Sequence, residues 1–125
     1  MVCPPAALAG APAGWAAETL RDGELALLLD DGGLEAVTAV AHALDLVTVS
    51  IVRHEETAAE QAQTVIAFAG SLPLVWAGAG LTDAEHTWAR ERRPMTLLVE
   101  VDGALPEAER GRIERFLALL ARQTE

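Results

Sequence analysis

Residues 45–80 (DLVTVSIVRHEETAAEQAQTVIAFAGSLPLVWAGAG) constrain the fold more than any other stretch. A β-branched run, LVTVSIV, comes first, and such residues fit a pleated, buried surface. Thr57 and Glu60 follow, spaced so that the hydroxyl and the carboxylate can each satisfy a free N–H of a helix's first turn. Gly70 can close that helix in a left-handed conformation, and the apolar LPLVWA then reads as a second strand. Strand, helix, strand is most simply a right-handed crossover between parallel neighbours.

The same alternation extends in both directions. Upstream, residues 24–29 (ELALLL) form an uninterrupted apolar run, as in a strand buried on both faces. Asp30-Asp31-Gly32-Gly33 turns the chain into a helix over 34–44, with Leu34, Val37, Val40, Ala41 and Leu44 on one face. Strands are expected at 46–52, 72–77 and 95–101. Thr82 and Glu85 make a second capping pair, for a helix that Pro94 stops. Trp88 on that helix either packs on the sheet or marks a partner surface. A last helix starts near Pro106, with Ile113, Phe116, Leu117 and Leu120 as its stripe. Gly111 weakens its start by about 1 kcal/mol unless a close contact requires it. A short helix over 14–21, anchored by Trp15 and Leu20, precedes the first strand.

The expectation is an α/β fold: a three-layer open sheet of four mostly parallel strands with helices on both faces, Rossmann-like or flavodoxin-like, in strand order 2-1-3-4. Residues 1–13, rich in Pro and Gly, read as a flexible arm, and 14–125 as a single α/β domain. Cys3 then falls in a mobile segment.

Charge narrows the function. The formal net charge is −10, and all nine basic residues are arginine. That balance argues against nucleic acid, which needs a basic face to displace counterions, and against anionic membrane. A chain without lysine has neither a Walker lysine nor a Schiff base. One cysteine cannot form an internal disulfide, and the opening MVCPPAALAGAPAG lacks a charged leading segment. A cytoplasmic protein is expected.

In open α/β sheets ligands bind beyond the carboxyl ends of the strands. Asp30, Asp31 and Asp102 there could hold Mg²⁺, although Asp after a strand is also an ordinary turn former and cap. Gly78 and Gly80 before Thr82 resemble the start of a dinucleotide loop, but Asp83 occupies the third glycine position. His54 could act as a general base oriented by Glu55, with Asp30 as a further catalytic candidate. None of these sets is complete. The first reading is a non-catalytic binding or regulatory module that acts through a protein partner or as a homo-oligomer. The alternative is a small metal- or nucleotide-dependent enzyme using the acidic loops.

Overall fold

The computed structural model describes residues 1–21, 23–29, 33–46, 49–92 and 95–123. The fold is an open α/β sheet with five strands rather than four. They are β1 (Val2–Cys3), β2 (Ala26–Leu28), β3 (Ser50–Val52), β4 (Leu74–Gly78) and β5 (Thr96–Glu100). All pairings are parallel, and the order is β3-β2-β1-β4-β5. The helices are α1 (Trp15–Thr19), α2 (Gly33–Ala43), α3 (Ala58–Ala69), α4 (Asp83–Glu91) and α5 (Glu107–Gln123). Among the described residues no helix is long and apolar enough to cross a membrane.

The expected four strands keep their relative order, but the strand at the centre comes from the segment read as a flexible arm. That expectation is corrected. Val2 and Cys3 are 0% exposed, Val2 pairing with Ala26 on one side and with Trp76 on the other. Pro4 and Pro5 end the ladder because they offer no N–H, and residues Pro5–Leu8 wind into a 3-10 turn. The strands of the 45–80 segment are not neighbours, since both β2 and β1 lie between β3 and β4.

Period-two alternation sorts the side chains into two cores. Cys3, Leu25, Leu27, Val75, Ala77 and Val99 face the 3-10 turn, α1, α2 and α5, contributing Leu8, Trp15, Val37 and Ile113 to that side. Val2, Ala26, Val52, Leu74, Trp76 and Leu98 face α3 and α4. On α3 the buried residues are Ala62, Val65 and Ala69, while Ala59 is exposed. Small inward residues let α3 lie close to the sheet.

Helix ends explain where strands begin. Asp45 takes a left-handed conformation at φ 55°, and the Leu46 amide reaches back to the Ala41 carbonyl at 2.8 Å, a Schellman-type closure of α2. Leu46 thus belongs to the helix end, not to the strand expected from 46 on. Leu72 and Pro73 likewise precede β4 and are exposed. Arg92, at the end of α4, donates to the Leu72 carbonyl (2.5 Å), the Gly70 carbonyl (3.3 Å) and Thr96 Oγ1 (3.0 Å). Its guanidinium lies 4.5 Å over the Trp88 ring, which meets Trp76 edge-on at 6.5 Å. Trp88 is half-buried in the core as an aromatic lid on that side of the sheet.

Burial pushes the Cys3 thiol up to about 12, so it stays protonated and shielded at ordinary pH. An aromatic disulfide reagent at pH 8 is expected to leave Cys3 untouched in native protein and to label it fully in guanidinium. Rapid native labelling would contradict its place between β2 and β4.

Candidate functional site

Strand order places the topological switch point between the carboxyl ends of β1 and β4. The β1 side of that crevice is Cys3-Pro4-Pro5. Two consecutive prolines present no amide to an anion, whereas a dinucleotide fold uses its glycine-rich turn at this position for that purpose. The loop after β5 also folds across: the Leu105 amide donates to the Ala7 carbonyl at 2.8 Å, and Leu105 is buried. Arg110 holds the same loop from α5, donating to the Leu105 carbonyl at 2.9 Å.

On the β4 side, Gly78-Ala79-Gly80 leads into α4 as expected, and Gly80 sits at φ 73°. Its amides are already engaged. Glu100, at the end of the neighbouring β5, accepts from the Gly80 N–H at 2.7 Å and the Leu81 N–H at 3.1 Å. A carboxylate of the chain thus fills the position that a phosphate oxygen would take. Sequence inspection missed Glu100, whose place beside the glycine loop is set by the register of β5 on β4.

Thr82 and Glu85 form the capping box. The Thr82 amide donates to Glu85 Oε2 at 2.9 Å, and the Thr82 hydroxyl donates to the same oxygen. Burial pushes the Glu85 carboxyl up, but hydrogen bonds from the Thr82 hydroxyl and from the backbone amides of Glu85 and Thr82 outweigh it. Together with His86 they hold Glu85 below its ordinary value. Thr82 and Gly80 therefore serve the turn and the helix start.

At β3, Glu55 and His54 are neighbours in sequence, and the Glu55 carboxylate has its own partners. The Glu55 Oε1 atom accepts from Thr64 Oγ1 of α3 at 2.9 Å and pairs with Arg53. Those two contacts, the Thr64 bond foremost, lower the Glu55 pKa against a small desolvation cost. Gln61 staples the loop from α3, donating to the Arg53 carbonyl at 3.1 Å and accepting from the Glu55 amide at 3.0 Å. This carboxylate is turned toward α3, while His54 is exposed.

Asp30 and Asp31 lie outside the described residues. Asp102 is exposed beyond β5. β2 and β5 are separated by β1 and β4, about 14 Å at ordinary strand spacing, and β3 lies farther still. Insertion of β1 therefore adds one strand spacing between β5, which Asp102 follows, and the strands β2 and β3. Among the described residues no group of three His, Cys, Asp or Glu side chains could hold a metal ion.

No family model, curated protein or solved structure matches this chain. The class that fold and loops define is an open, all-parallel α/β sheet whose glycine loop is occupied by its own glutamate.

A depressed carboxylate contributes stability that is complete above its unfolded pKa, about 4.3 for Glu, and is lost as pH falls through the folded value. Glu85→Gln is expected to cost about 1 kcal/mol at pH 7 by weakening the cap. The deficit should shrink as pH falls below the ordinary Glu value and through the lowered folded one, where wild-type Glu85 itself takes up a proton. Urea melts across pH check this, and a deficit that persists undiminished at low pH would contradict the charged cap.

Proposed function

We propose that this chain is a non-catalytic α/β module of the cytoplasm, working by contact with another protein chain. The observation that carries this reading is Glu100 on the Gly80 and Leu81 amides. The amides of the glycine loop after β4 are taken from within, so this part of the carboxyl edge serves to close the sheet. The proline pair after β1 and the separation of β5 from β2 and β3 point the same way.

Surface features supply the positive side. Leu72 is 66% exposed and Phe68, four residues earlier, 42%. Ile51 on the edge strand β3 and Leu119 on α5 are exposed as well. Single exposed apolar residues are ordinary, but a helix-end pair and an open strand edge are surfaces that association covers.

Calorimetric titration with Mg²⁺, Mn²⁺, ATP, GTP and NAD is expected to be silent. In native extract the chain should migrate well above its own 13.2 kDa. Saturable binding of one ligand at sub-millimolar concentration, with monomeric migration in extract, would replace this reading by a small-molecule one.

A further inference from the structure

The last helix carries three exposed arginines on one side, of which Arg112 meets a carboxylate of the same helix, Glu109. Ile113 is fully buried against the sheet, with Phe116 and Leu117 beside it. By helical periodicity the opposite side runs through Gly111, Arg112, Arg115, Ala118, Leu119 and Arg122. No acidic side chain of α5 among the described residues falls within that arc, and Glu107 of the first turn lies just past its Ala118 edge. Glu114 on one flank accepts from Trp15 Nε1 at 2.8 Å, and Glu109 on the other reaches Arg112 at 3.5 Å. Three of the nine arginines thus stand on one exposed face of a chain whose net charge is −10. Leu119, 56% exposed, lies among them.

Gly111 is the independent observation. Glycine inside a helix is unfavourable relative to alanine, and here the fold does not require it. Its φ is not positive, and a Cβ there would meet only the tip of Arg115, at 3.4 Å. A bare backbone on an outward face permits close approach from outside.

We propose that the outward face of α5, formed by Arg112, Arg115, Leu119 and Arg122 around Gly111, docks an acidic helix of a different protein. The proposal rests on the protein-contact reading above and names its surface. Charge decides the occupant. A two-fold dimer through α5 would set arginine against arginine, and seating α5 on another face of a copy would leave its partner's α5 open and propagate into chains. Nucleic acid is disfavoured because three arginines would hold polyphosphate against a strongly negative body. An acidic helix meets the arginines, buries Leu119 and approaches closely at Gly111.

The test uses the whole chain and a synthetic, amidated helical peptide with glutamates along one face and leucines beside them. Single-stranded DNA and the same peptide with Gln for Glu serve as controls. Saturable binding of the acidic peptide is expected, weakening with salt and falling at least roughly tenfold in Arg115→Glu/Arg122→Glu, since unlike charges across an interface become like. Gly111→Ala should raise the melting midpoint and yet weaken binding. The proposal is overturned by no binding, by equal binding of the Gln peptide, or by tighter binding of DNA. It is equally overturned by affinity that survives the double charge reversal or by a dimer that the reversal dissolves. Should the peptide fail while the chain still migrates as a complex in extract, the α5 surface is wrong and the protein-contact reading stands.

Discussion

β1 contributes only two residues, yet its ladder joins the two halves of the sheet. Val2 and Cys3 bridge β2 to β4, and without that bridge the sheet would be two pairs, β2–β3 and β4–β5, with an open seam. Two-stranded units are marginal alone, and the seam would expose unpaired amides and carbonyls at the centre of the molecule. The 3-10 turn that follows also carries Leu8 into the core and offers the Ala7 carbonyl to the loop beyond β5. The first eight residues therefore tie both halves of the sheet and part of its carboxyl edge.

That central strand also shapes the chemistry of the rim. It opens about 5 Å of extra separation, one strand spacing, between the acidic loops on either side, and its proline exit removes the amides that a phosphate would use. Glu100 completes the effect by taking the donors of the glycine loop. Each carboxylate that sequence alone presented as a candidate and that the structure describes has a local role or stands apart. Glu55 binds Thr64 and Arg53, and Asp102 is isolated beyond β5.

How much of this was legible depended on length of signal. The β2 to β5 runs were readable because several consecutive apolar residues leave few alternatives, and both capping pairs marked their helices within a residue. β1 was not readable, since two apolar residues before Pro-Pro carry no period and are made a strand only by neighbours distant in sequence. The same cause moved Cys3 from an expected mobile arm to a buried centre. Leu46 was misassigned because Asp45 takes a left-handed position usually held by glycine, which extends the helix end into the β-branched run. Glu100 escaped notice because its role depends on register with β4, which no local pattern reveals.

Native-state hydrogen exchange at Val2, Cys3 and Ala26 tests the central role of β1 most directly. If the ladder holds the sheet, these amides exchange only through global unfolding, with protection matching the stability measured in urea and equal to that of β4. Fast exchange at Val2 and Cys3, with β4 and β5 still protected, would contradict it and would leave the sheet without its centre.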